Sequence, residues 1–143
     1  MSAGPAAVSI RTATRDDLPT LVTLWHEPDV VAGPSDSIDA LQVLFEHDPR
    51  AVIVAVSAGD PVGVLLATWD GWRGNMYRLA VRLERRREGV ARALVTEAER
   101  RLRARGCTRV SALVQDDEGA AALWLSCGYS PDVGVARHVK MLA

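Results

Sequence analysis

LAVRLERRREGVARALVTEAERRLRARG, residues 79–106, changes character twice. Leu79 to Val81 reads as the end of a strand, Leu83 to Gly89 is a charged turn, and a long amphipathic helix begins at Gly89. Val90, Ala91, Leu94, Val95, Ala98 and Leu102 form an apolar stripe at helical spacing, Arg and Glu fill the other positions, and Gly106 is the expected stop near Arg105. The first four amide hydrogens of a helix have no backbone acceptor, so the turn Arg86-Arg87-Glu88-Gly89-Val90-Ala91 offers a vacancy to an anion. Gly89 permits close approach to the main chain, Ala91 keeps that face low, and the positive end of the helix dipole favours phosphate oxygens. Arg86, Arg87 and Arg92 add positive charge. The stretch lacks the GK[ST] ending of a nucleotide P-loop and the GxGxxG dinucleotide fingerprint, so a different phosphate carrier is implied.

Upstream, AVIVAVSA from Ala51 and VGVLLATW from Val62 read as a hairpin joined by a Gly-Asp-Pro turn at 59–61, followed by a strand from Met76 to Val81. Val8 to Arg11 is a short first strand. Thr14 is expected to cap a helix with Leu18, Leu21, Val22 and Trp25 on one face, with Pro19 tolerated early in it. HEPDVVAGPSDS reads as a loop, and Ser35 or Asp36 begins a second helix that carries Ile38, Leu41, Val43, Leu44 and Phe45 and ends at Pro49. Downstream come a strand at Arg109 to Val114, a helix of small apolar residues from Ala120 to Ser126 ended by Gly128, and a last strand near Val133 to Met141. The strand, helix, strand unit around Gly89 implies parallel pairing inside a sheet that also holds hairpins.

The 143 residues suit one domain, 1–143, and 48% hydrophobic content can fill its core. Seventeen basic and 18 acidic residues leave a net charge of -1, which gives no global attraction to nucleic acid or an anionic membrane. Glu84 and Glu88 flank the arginine run, which favours a phosphate-binding turn with a solvated rim over a nucleic-acid patch. No stretch reaches the length of a membrane span and the start carries no secretory pattern. Cys107 and Cys127 have neither metal-ligand spacing nor disulfide density and read as small buried hydrophobes, so a cytoplasmic location is expected. His26, His47 and His138 are scattered, and no metal is expected.

The 79–106 stretch resembles the central motif of the GNAT superfamily of acyl-CoA-dependent N-acetyltransferases, [RQ]-x-x-G-x-[GA], with Arg86, Gly89 and Ala91 at the fixed positions. LAV resembles the end of that family's fourth strand, ARALV its helix start, DEGAAALWLSCGY its second cofactor segment and IRTATRDDLPTLVTLW its opening, so the likeness covers nearly the whole chain. It implies an α/β fold of the α+β kind: a mixed sheet of six to seven strands, splayed between strands 4 and 5 and flanked by about four helices. It also implies acetyl-CoA as co-substrate. Main-chain groups of Leu79, Ala80 and Val81 would bond the pantetheine arm, amides from Arg87, Glu88, Gly89, Val90, Ala91 and Arg92 would hold the pyrophosphate, and Asp117 and Trp124 would approach from the other side. A small-molecule amine or a protein amino group would be the acceptor, and the enzyme would be a monomer or homodimer.

Two positions depart from that pattern. Relatives often carry a glutamate base six residues before the valine of LAV, where this chain has Asn75, and a tyrosine acid where it has Trp124. Asparagine accepts no proton usefully, and indole only donates a hydrogen bond. Ordered water helped by Asp70 or Tyr77 is the substitute these residues suggest, although Tyr77 also suits ordinary strand packing. Trp25, Trp72, Asn75 and Tyr77 are candidates for the acceptor side: Trp25 also ends an apolar helical stripe, and Trp72 sits in the loop DGWRGN beside Arg73. The departures leave two rivals to an active transferase, namely a CoA-binding module with decayed chemistry and an interaction domain on the same scaffold.

Overall fold

The computed structural model describes residues 7–26 and 36–142. Five strands make one sheet in the order β1-β2-β3-β4-β5, with β1 at Val8–Thr12, β2 at Val52–Ser57, β3 at Asp60–Trp69, β4 at Gly74–Val81 and β5 at Val110–Ala112. The first three pairings are antiparallel and β4 with β5 is parallel. The helices are α1 (Leu18–Leu24), α2 (Ile38–His47), α3 (Val90–Ala104) and α4 (Glu118–Ser126). The mixed α/β class and the four helices match expectation, whereas five strands stand among the described residues where six to seven were expected.

The missing strand is the one expected at Val133 to Met141. Those residues form no strand, and Val133, Val135, Val139 and Met141 are exposed. Their alternation of apolar and polar residues is a local strand signal, but a strand also needs a partner to bond its backbone, and none is supplied there. The turn of the first hairpin is also shifted. Ser57 pairs with Asp60, so Ala58 and Gly59 alone form the loop, both at positive φ (51° and 83°), and Asp60 and Pro61 belong to β3. That is the two-residue loop whose twist matches the flanking strands.

Side chains of β2 alternate between two cores. Ile53 and Ala55 join Val62, Leu65, Met76 and the α3 stripe of Val90, Leu94, Val95, Ala98 and Leu102. Val52, Val54 and Val56 join Val64, Leu66, Leu18, Leu21, Leu24 and Trp25 on the opposite face. Both faces of the sheet are covered, which is why β2 is buried at every position and reads as a continuous apolar run. Helix α3 crosses β3 at Gly63, where an added Cβ would stand 3.1 Å from both Leu94 Cδ1 and Val90 Cγ1. Before α1, a 3-10 turn at Arg15–Asp17 is closed by Thr14, whose N–H donates to Asp17 Oδ2 at 2.7 Å, and Arg11 pairs with the same carboxylate. Helix α2 is capped by Ser37, which accepts from the Ala40 N–H; of the two starts expected, Ser35 lies outside the described residues and Asp36 is the residue before the cap.

Candidate functional site

The turn between β4 and α3 is built so that its amides stay uncommitted. Gly89, the N-cap of α3, has φ 83° and ψ 8° and carries no side chain to cap the helix. The first helical bond across that end is Ala93 N–H to Gly89 O at 3.0 Å, so the amides of Val90, Ala91 and Arg92 precede any intrahelical acceptor. A Cβ at Gly89 would meet nothing within 4 Å, which leaves open space over the turn. The neighbouring side chains are engaged elsewhere. Glu88 pairs with Arg85 at 3.1 Å, Arg85 Nη1 also donates to Ser57 Oγ at 2.8 Å, and Arg86 Nε donates to Val81 O at 3.0 Å. Arg87 is held at φ 64°, a left-handed conformation unusual for a side-chain-bearing residue. A shallow depression of about 480 Å3, lined by Ser57, Asp60, Arg82, Glu84 and Arg85 among others, flanks the turn on one side, and one of about 420 Å3 reaches Gly89, Arg92 and Ala93 on the other.

The edge of β4 beside this turn is open. Strand β5 pairs only with Gly74, Asn75 and Met76, and the last bond across is Leu113 N–H to Met76 O at 3.0 Å. Beyond it the two strands part, as the expected splay requires. Arg82 N–H donates to Val62 O of β3. By the two-residue period of a strand, Ala80 faces β3 as well, and Leu79 and Val81 present their main-chain groups to the gap. That parity depends on a bulge. Tyr77 pairs with Leu66 and Ala80 with Val64, so Arg78 and Leu79 together oppose Leu65. Arg78 has φ 58°; its carbonyl accepts from Trp25 Nε1 at 2.9 Å, and its guanidinium pairs with Asp36 at 2.7 Å.

Helix α4 meets the far side of α3. Arg92 donates to Ser126 O and Oγ at 3.1 and 2.8 Å, placing its charge at the C-terminal end of α4. Trp124 is buried with its ring edge-on to Tyr129, centroids 5.0 Å apart, within the same core cluster as Val81 and Val90. Tyr129 donates to Glu99 Oε2 at 2.7 Å, and burial followed by that carboxylate pushes its phenol up, so it stays protonated. Asp117 caps α4 by accepting from the Ala120 N–H at 2.7 Å and takes a second bond from Gln115.

The acceptor-side candidates are dispersed. Asn75 is half-buried in β4 between Thr68 and Ser111, and Tyr77 packs partly buried against the core under α1. Trp25 is 1% exposed beneath the sheet, on the face opposite Trp124. Trp72 is 71% exposed in the loop before β4, with the Arg73 guanidinium 4.0 Å over its ring. Asp70 turns its carboxylate onto its own loop, where the amides of Arg73 and Trp72 donate at 2.6 and 2.7 Å and hold it below the usual carboxylate range. From Gly74 to Leu79 the strand alone spans about 16 Å, which sets the Asp70 loop well apart from the open edge at Leu79. Sequence reasoning missed the tie from Arg78 to Trp25 and Asp36, the Arg85 brace and the Tyr129–Glu99 strut. All but the Arg85–Glu88 pair are long-range, with no local pattern to announce them.

A mixed sheet that opens beside an uncapped helix N-terminus is shared with a known family of proteins. Residues 17–129 match the acetyltransferase (GNAT) family. An acetyltransferase of Sodalis glossinidius is 34% identical over 113 residues, covering 79% of this chain and 80% of that one. Ard1 from Thermoplasma volcanium superposes with a TM-score of 0.78 at 19% identity, over 87% of this chain and 84% of its own. A chain of the NatC complex bound to Gag peptide and CoA does so with a TM-score of 0.71 at 21% identity, over 85% and 82%. The protein belongs to the GNAT family and is an acetyltransferase. Among the described residues no helix is long and apolar enough to cross a membrane.

Proposed function

We propose that this enzyme moves the acetyl group of acetyl-CoA to a primary amine, of a small molecule or a protein, by direct attack within a ternary complex in the cytoplasm, and that one domain carries the whole site. One observation carries the reading: the open edge at Leu79 and Val81 runs, through the Arg86 brace on Val81 O, into the uncapped amides of Val90 to Arg92. An extended amide-bearing arm suits the first and a diphosphate the second, so the residues present fit the cofactor. Bound acetyl-CoA would supply an acetyl group activated as a thioester.

The chain's own groups do the rest. The α3 amides and dipole hold negative charge, the β4 edge aligns the arm, and an edge amide facing the gap meets the negative charge that develops on the carbonyl oxygen. The amine nitrogen forms the new bond to carbon as the carbon–sulfur bond breaks, one proton leaving the nitrogen and one reaching the sulfur. Strand β4 offers no carboxylate, since Asn75 stands where one would serve, so the amine must arrive neutral or lose its proton to water. An alkyl ammonium with a pKa of about 10.4 is neutral in only about 1 molecule in 250 at pH 8. Turnover is therefore expected to climb with pH in step with the neutral fraction of the acceptor. Release of free CoA thiol with a panel of amines of graded basicity tests both points. Tight acetyl-CoA binding with no thiol released by any amine would favour the second reading, a CoA-binding module, for which Asn75 and the buried Trp124 speak.

A further inference from the structure

Arg78 occupies the residue at which β4 breaks register, and it is held from two directions. Its carbonyl accepts from Nε1 of Trp25, the residue that follows α1 and is 1% exposed. Its guanidinium pairs at 2.7 Å with Asp36, two residues before α2, whose side chain is 3% exposed. Its φ of 58° is a conformation in which glycine would sit without strain. An arginine there accepts that strain and adds a near-buried ion pair, and strained backbone of this kind persists only where the surroundings over-determine it. The bulge also has a consequence for the site. Two residues opposing Leu65 are what turn Leu79 and Val81, rather than Ala80, toward the gap between β4 and β5.

We propose that Arg78 is a positioning residue for acetyl transfer, tying the end of α1 and the start of α2 to the β4 main chain so that Leu79 faces the reacting carbonyl. This rests on the functional reading above and extends it. The α3 amides that would hold the diphosphate lie beyond Val81, and among the described residues no hydrogen bond joins them to this tie. The geometry at Leu79 is thereby set by helices on the face opposite α3, and cofactor grip and reaction geometry have separate supports.

Four variants test it in the full chain: Trp25→Phe, which keeps an aromatic side chain and removes the donor, Asp36→Asn, Arg78→Gly, which relieves the strain and deletes the pair, and Arg78→Lys. Calorimetry should give acetyl-CoA affinity within about three-fold of the parent in all four, while kcat falls roughly 10- to 100-fold in Arg78→Gly and Trp25→Phe, as expected for misplacement of well under 1 Å to 1 Å. Arg78→Lys should recover part of the loss. In parallel, the Leu79 amide resonance should move on saturation with acetyl-CoA in the parent and move less in Arg78→Gly. If Arg78→Gly does not fold, the near-isosteric Asp36→Asn is read in its place. Unchanged kcat and an unchanged Leu79 response in folded variants overturn the proposal, as does a joint fall of kcat and cofactor affinity that simply follows melting temperature. A parent that neither binds acetyl-CoA nor releases thiol instead defeats the functional reading, and this proposal with it.

Discussion

Gly63→Ala links the packing of the sheet directly to the site. The new methyl would stand 3.1 Å from Val90 Cγ1 and Leu94 Cδ1 and 3.4 Å from Ala55 Cβ. Leu94 is fully buried and Val90 4% exposed, so neither has free space to retreat into, and α3 must lift by a few tenths of an ångström. Overpacking of this kind costs about 1–3 kcal/mol, offset by about 0.4–1 kcal/mol from the reduced freedom of alanine in the unfolded chain. A net loss of about 1–2 kcal/mol follows, or roughly 3–8 °C in melting temperature for a chain of this length. Val90 is the first residue of α3, so the same lift displaces the amides that would hold the diphosphate. CoA binding should weaken along with stability, because the amide hydrogen bonds lose their alignment. Urea unfolding and calorimetry measure the two effects, and repeating them in a Val90→Ala background, which removes one of the clashing groups, should cut the cost by about half. A Gly63→Ala protein as stable as its parent, or one that loses stability equally in both backgrounds, would refute the proposed packing of α3 on β3.

Two further substitutions probe separate supports. Ala58→Asn places a residue tolerant of left-handed backbone at φ 51° in the first hairpin loop and should stabilise the protein by about 0.5–1 kcal/mol, measured by denaturant midpoint; a loss would show that the loop has another geometry. Hydrogen bonds from Arg100, then Arg101, hold the Glu97 carboxyl down at about 2 against an ordinary 4.5. A depressed folded-state pKa contributes stability that is complete above pH 4.5 and is lost as the pH falls toward 2. Glu97→Gln should therefore be less stable than the parent at pH 7 and converge with it between pH 4.5 and 2, whereas a constant gap across that window would contradict the assignment.

The decisive strand, turn and helix were legible because their signals are local. The buried stripe of α3 at Val90, Leu94, Val95, Ala98 and Leu102 follows the spacing read from sequence, with only Ala91 left half-exposed at the helix start. Strands β2 and β3 announced themselves as nearly continuous apolar runs, since a sheet covered on both faces has no polar side to alternate with. What escaped notice is non-local or conformational. An arginine at φ 58° leaves no mark in composition, and the partners that hold it there, Trp25 and Asp36, are far away in sequence. The Val133 to Met141 segment shows the converse error: alternation implies a strand only when a neighbouring backbone is available. Strand β5 shortened for a related reason, because β4 diverges from it after Met76: Leu113 gives only its N–H to Met76 O, and Val114 has no ladder to join.

Titration calorimetry of the folded protein with CoA bears most directly on the role of the uncapped turn. Binding with one-to-one stoichiometry, weakened by added pyrophosphate and abolished in Gly89→Glu, is the expected result, because that substitution forces a charged side chain onto backbone at φ 83° beside the α3 amides. No heat with the parent protein, or an unaltered isotherm in a folded Gly89→Glu variant, would place the cofactor elsewhere and contradict it.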